Sequence, residues 1–392
     1  MAQSAAAPPH KRATHSVIFV GNNWDGTATV IDPRRHFKPI ATVNIIPDID
    51  ERMQEIASDP ERLGYFLAIR QLIGEGHDQF VDDMYSTPDG RLLIVSRPSL
   101  ADVVGIRLST GKIAWRFPME GERSDHMGLS PDGKEVAVSD STANKVHVLD
   151  TRTGKELWQF ASGDSPHENT FTRDGRLIFH ASIGRVYTPT SQPEVDSSKG
   201  DRRFEIVNTR THKIIKQYDM GQKLEEAGYR GMSSAVRPMA LSPNEKWLYF
   251  QVSFFHGFAE FNLKRERVTR VAELPNLVPN MPKEQYVLNS AHHGIAMSGD
   301  GRTLCVAGTM DDYAAMVDRK SFRYKLMFKG QKPYWATTSR NGKWCLLSWS
   351  GTDSISVFSY GKKKEIAHVP VGDHPQRIRM GSVRTSWIAA QG

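Results

Sequence analysis

An all-β seven-bladed β-propeller is the fold class this sequence predicts, and three observations predict it. One turn is written six times: Ser86-Thr87-Pro88-Asp89-Gly90, Ser130-Pro131-Asp132-Gly133, Thr172-Arg173-Asp174-Gly175, Ser242-Pro243-Asn244-Glu245, Ser298-Gly299-Asp300-Gly301 and Ser339-Arg340-Asn341-Gly342. The short intervals between these turns are roughly 41 to 43 residues, the size of a four-stranded blade. Between the turns the apolar residues fall in short alternating runs, the pattern of half-buried strands. The two ends also complement each other. The N-terminus begins mid-blade and the C-terminus carries an orphan first strand near Pro375 to Met380, so joining them closes the ring and removes free sheet edges.

Residues 1–15 are expected to be a flexible tail and residues 16–392 one propeller domain. Ser16 to Val20, Thr27 to Asp32 and Pro39 to Val43 supply three strands of the closing blade. The second blade starts near His77 and contains Leu92 to Ser96 and Val104 to Leu108. The clearest unit runs from His126 to Gly163. An apolar strand leads into Ser130-Pro131-Asp132-Gly133, then come Glu135 to Ser139, Lys145 to Asp150, the turn Thr151-Arg152-Thr153-Gly154 and Glu156 to Phe160. Further units start near Asp164, Ala235, Ser290 and Lys332. A unit alone leaves both sheet faces bare, and stacking around an axis covers them.

Propeller strands, A to D from the axis outwards, alternate in direction. The D-to-A and B-to-C connections therefore share one face, and the tight A-to-B and C-to-D turns share the other. The long insertions, ~48–76, ~184–203, ~221–236 and ~274–290, all belong to the first face. Met53, Ile56, Leu63, Phe66, Leu67, Ile69 and Leu72 recur with helical periodicity, which predicts a helical cap there.

The formal charge of +7 suits an anionic ligand. No Lys/Arg block is interleaved with aromatics, so no nucleic-acid partner is expected, and no apolar stretch is long enough to span a membrane. The N-terminus lacks the apolar core of a secretory signal. The cysteines, Cys305 and Cys345, lie in apolar runs at similar positions of neighbouring repeats and read as buried free thiols. A cytoplasmic protein is the expectation, with its oligomeric state open.

The phrases Ser130-Pro131-Asp132-Gly133-Lys134, His147-Val148-Leu149-Asp150-Thr151-Arg152-Thr153-Gly154-Lys155 and Val369-Pro370-Val371-Gly372-Asp373-His374-Pro375 resemble the YVTN-type (YncE-like) seven-bladed propellers. The resemblance covers nearly the whole chain outside the insertions. It implies the fold, and that group hosts many functions.

Counting back from each Pro88-equivalent position aligns the residues that enter strand A at the channel mouth. His126 is five before, beside Asp125; His167 is six before, beside Glu168; His293 is six before, beside His292. The same places hold Asp82 and Asp83 in blade 2, with His77 shortly before, Arg237 in blade 5, and Tyr334 and Trp335 in blade 7. The closing strand offers His374 and Arg377. Imidazoles from separate blades pointing at one axis suit a divalent transition metal (Fe, Zn, Cu or Mn), with His126, His167, His293 and His374 as candidate ligands. His77, Asp83, Glu168, Arg237, Tyr334 and Arg377 are the candidate catalytic and substrate-binding groups, the arginines clamping a carboxylate or phosphate. Asp125, Glu168 or Asp83 would orient the rings. Secondary candidates are His180, Tyr187, His256, Glu260, Asp311 and Asp312.

The expected function is a metalloenzyme acting on a small anionic organic substrate by oxygenase, oxidase, hydrolase or lyase chemistry. A metal-free acid–base enzyme using the same His and Arg is the first alternative, and a non-catalytic binding or scaffolding propeller the second. The chain contains neither a glycine-rich phosphate loop nor a Gly-x-Ser-x-Gly elbow, which disfavours nucleotide enzymes and α/β-hydrolases.

Overall fold

The computed structural model describes residues 13–186, 195 and 198–391. Tyr187 and part of the ~184–203 insertion lie outside them. Seven antiparallel four-stranded sheets form the blades. Blade 1 takes its innermost strand, Pro375–Arg384, from the C-terminus and pairs it with Thr14–Asn22 in a register running from Thr14↔Arg384 to Asn22↔Pro375. The strand begins at Thr14, inside the stretch expected to be tail. Trp387 sits in a short helix after the closing strand, and its Nε1 donates to the Leu108 carbonyl.

The repeated turn has one physical basis. Ser130 Oγ donates to Asp132 and accepts from the Glu135 N–H, while Gly133 at φ +68° turns the chain. A Cβ on Gly133 would lie 2.3 Å from Pro88 of the next blade's turn, so glycine also permits the blades to stack. The blade cores lie between neighbouring sheets; one joins Val17, Phe19 and Val30 of blade 1 to Val95, Val104 and Ile106 of blade 2.

Cys305 and Cys345, expected as free thiols, form a disulfide with a Cα–Cα distance of 6.4 Å. They lie on the second strands of blades 6 and 7 (Thr303–Gly308 and Trp344–Trp349), which stacking places side by side.

The helical insertion consists of α1 (Ile49–Ser58) and α2 (Pro60–Leu72). Asp59 caps α2 by accepting from the N–H groups of Glu61 and Arg62, and Pro60 fits the first turn, which needs no donor. Ile56 and Phe66 pack on Leu100 of blade 2. Buried Arg52 donates to the Leu100 carbonyl, and Arg62 to the carbonyls of Ser99 and Glu122. The cap is thus fastened to blades 2 and 3. A third helix, α3 (Met220–Glu226), occupies another insertion; the Trp387 helix is α4 (Thr385–Ala389).

Candidate functional site

The axial residues are presented by bulged backbone. In blades 1, 3, 4, 5 and 7 the innermost strand carries one extra residue against its neighbour, for example between Ser124 and Met127 and between Pro166 and Glu168. Arg377, His126, His167, Arg237, Tyr334 and Trp335 all fall in these bulges. A bulge re-aims a side chain that a regular strand would bury against the next blade. Blades 3 and 4 carry the same extra residue, and His126 occupies the later position of its bulge where His167 occupies the earlier one. Second-strand serines brace the bulges: Ser96 Oγ donates to the Asp125 carbonyl, Ser139 Oγ to that of His167 and Ser348 Oγ to that of Gln376.

His126, His167 and His293 converge. One donor atom from each lies within 4.8 Å of the others, and all three rings are buried. They border a cavity of ≈ 20 Å³ with Asp82, Asp125, Arg237 and Tyr334. That volume accommodates about one water or ion. The His126 Nδ1 meets Glu168 Oε2 at 3.2 Å, leaving Nε2 towards Asp125 and Asp82 (3.5 and 4.0 Å). His293 Nδ1 meets the Tyr334 carbonyl at 3.4 Å, while His167 Nδ1 is buried without a hydrogen-bond partner. Two rings are therefore held by an acceptor on one nitrogen, the arrangement that orients a metal-binding imidazole.

Burial, then the Arg377 charge, holds His126 and His293 well below the usual imidazole range; burial, then His293 and Arg237, does the same for His167. The free rings are thus neutral and offer lone pairs. Burial pushes Asp82 up to about 7 and Glu168 up to about 8 against the pull of Arg377, lowers Arg237 to about 10 and raises Tyr334 to about 12.

Arg377 is fully buried, 3.9 Å from the Trp335 ring centre and 3.9 Å from Asp82 Oδ2, yet its Nε, Nη1 and Nη2 have no hydrogen-bond partner; neither has Asp82 Oδ2. Orphaned buried charge of this kind calls for a ligand or ordered water. Arg237 donates to Ser253 Oγ and to the carbonyl of Leu288, which brings the ~274–290 insertion to the cavity wall.

Other expected residues are placed differently. Asp83 turns away from the cavity and takes both prongs of Arg379 (2.8 and 2.6 Å) and the Met127 N–H, because strand alternation gives the inward position to Asp82. His374 and His77 do not join the imidazole group. They sandwich Trp24, each ring 3.8 Å from its centroid, and burial lowers His374 to about 3. His374 has φ +52° and precedes the bulge, so its side chain leaves the axis before the strand begins.

His256, His292 and Asp311 form a second buried cluster with their partners largely satisfied. Asp311 accepts from both rings (2.7 and 3.1 Å) and from the Leu277 N–H, and Tyr286 OH meets His256. These bonds fasten the ~274–290 insertion. Glu260 is bound by Arg270 and Tyr249, Asp312 accepts from the Lys332 N–H, and His180 bridges Asn169 of its own blade and Ser162 at the end of blade 3.

Arg123 was not foreseen. It donates to Asp125 (2.5 Å) and Ser141 (2.9 Å) and borders the cavity. It precedes Asp125 by only two residues. Counting back from the turns does not find it, because its long side chain reaches the site from outside the bulge.

The family model described as outer membrane protein assembly factor BamB matches residues 99–216, under a third of the chain. Among solved structures, the chain resembles one titled Kuenenia stuttgartiensis Hydrazine Synthase. The identity is 14%, the match covers 78% of this chain and 96% of that one, and the TM-score is 0.57. At that identity the likeness speaks for the propeller fold. The BamB-type match agrees with repeated propeller blades and does not carry the YVTN-type resemblance. No curated protein matches the chain.

Proposed function

We propose that the propeller axis holds a divalent transition metal on His126, His167 and His293 and acts on a small organic anion. The observation that carries this reading is the convergence of three buried, neutral imidazoles on an ion-sized cavity beside an arginine with no hydrogen-bond partner. Three nitrogen ligands with an open position are a usual catalytic donor set, and Fe, Zn, Cu or Mn fits it. The bound ion would supply Lewis acidity or a water of lowered pKa. The protein's own groups do the rest. Glu168 fixes the His126 ring, Arg377 and Arg237 bind the substrate anion, and Asp82 holds or accepts a proton at Oδ2. The cap and the Leu288 loop exclude solvent.

The test uses Co²⁺ as probe. Protein loaded with Co²⁺ and dialysed against metal-free buffer is expected to retain about one equivalent, with the visible band of a nitrogen-rich site, and His167→Ala to lose it. Failure of the wild type to retain the ion, or equal retention by His167→Ala and His293→Ala, overturns the metal centre.

The unpaired Arg377 nitrogens favour one other reading, a metal-free anion site with His acid–base chemistry. It predicts that phosphate or acetate raises the melting temperature of the metal-free wild type and not of Arg377→Met. If neither metal nor anion binds, a non-catalytic binding propeller remains.

A further inference from the structure

The axial cavity of ≈ 20 Å³ holds an ion or a water but no organic molecule. The substrate body must lie elsewhere, and one adjoining space, which opens on the same side as the cap, is a groove of ≈ 360 Å³ between α2 and the loops of blades 3 and 4. Ile73, Arg123, Ile183 and Val186 line both spaces, so the two are separated only by a shared rim. The larger volume is within the usual range for a small-molecule cleft.

The groove has two unlike walls. On α2, Tyr65, Ala68, Ile69 and Leu72 follow the i, i+3, i+4, i+7 spacing and form a stripe along the groove. Phe66, on another side of the helix, is already used against Ile56 and Leu100. Tyr65 is 40% and Leu72 52% exposed, so the two ends of this second apolar stripe are open along the groove, while Ile69 between them is buried. The opposite wall is polar, with Ser141, Thr142, Asn144 and Asp164, whose carboxylate is taken up by the Asn144 amide and the Asp201 N–H; it carries two arginines, Arg123 at the inner end, paired with Asp125, and exposed Arg185.

We propose that this groove is the substrate cleft of the axial site and takes an amphiphilic organic anion, an alkyl or aryl carboxylate. Its apolar body lies on Tyr65, Ala68 and Leu72, and its charged end passes Arg123 towards Arg377 and the imidazoles. The proposal rests on the reading of the axis as a binding centre and adds the substrate class to it.

The probes are butanoate, hexanoate, octanoate and uncharged 1-octanol, with binding measured calorimetrically on the full chain with and without Co²⁺. Affinity for the acids is expected to rise by up to about fourfold per added methylene. Octanoate should bind more tightly than octanol. Leu72→Asp, at a position already half exposed, should flatten the chain-length dependence without changing Co²⁺ retention, and Ala68→Phe should cut octanoate binding by filling the groove. Affinity independent of chain length, equal binding of octanol, or an unchanged dependence in both variants overturns the cleft. Co²⁺ retention without chain-length dependence refutes the cleft alone. Chain-length dependence without Co²⁺ retention upholds the cleft and refutes the metal.

Discussion

Removing the cross-link between blades 6 and 7 has a consequence that can be worked from one distance along the chain. Cys305 and Cys345 are 40 residues apart. Closing a loop of that length removes about 13 cal/mol/K from the unfolded chain, or about 4 kcal/mol at room temperature. For a chain of this size the urea m-value is at least about 3 kcal/mol/M, so the unfolding midpoint should fall by about 1 M on reduction. The assay is urea unfolding of the wild type and of the double variant Cys305→Ala, Cys345→Ala, each with and without dithiothreitol. Truncating buried cysteines also leaves cavities, so the two proteins will differ at baseline. The reductant effect on the wild type isolates the cross-link, and the double variant should show none. The reasoning is refuted if reductant leaves the wild-type midpoint unchanged, or if two thiols titrate in the unfolded wild type before reduction. The result also bears on location, because such a bridge persists in an oxidising compartment and a cytoplasmic protein would hold the thiols reduced.

Glu205 is fully buried with neither carboxylate oxygen hydrogen-bonded, and burial raises it from 4.5 to about 7 despite Arg203. The folded state then binds the proton more tightly than the unfolded one. Stability should fall as pH rises from 4.5 to 7 and level off above, a loss of about 3 kcal/mol at most. Glu205→Gln should remove that slope in pH-dependent denaturation, and a parallel slope in the variant would refute the assignment. His147 shows the same sign from the opposite cause: burial opposes its charge, but Asp140 and Glu156 prevail and raise it. Its contribution is complete below the unfolded imidazole value near 6.5 and is lost as pH rises through the higher folded value, so the melting-temperature difference between wild type and His147→Gln should shrink as pH rises above neutrality. Glu168→Gln should weaken Co²⁺ retention about 10- to 100-fold in a chelator competition while the fold is kept, since the Glu168 carboxyl oxygen orients His126; unchanged affinity would remove Glu168 from the site.

The blade count and the side on which the helical cap sits were legible because each depends on local chemistry. The Ser-x-Asp-Gly turn closes on its own hydroxyl and carboxylate, alternating residues commit a strand to two faces, and the insertions inherit their side from strand direction. The same registration aligns His126, His167 and His293 in the sequence. Which neighbours they meet depends on one extra residue in the innermost strands of blades 1, 3, 4, 5 and 7. Adjacent Asp82 and Asp83 differ only by the face that strand register gives them, and His374 precedes the bulge of its strand, so neither distinction is written in a linear sequence. Arg123 and the groove beside α2 depend on how a long side chain and a helix lie across two blades. The disulfide shows the boundary most clearly. Equivalent positions in adjacent repeats were visible in the sequence, but only the stacking of blades 6 and 7 brings Cys305 and Cys345 to 6.4 Å between Cα atoms, because that distance is set by packing between sheets and by no interval along the chain.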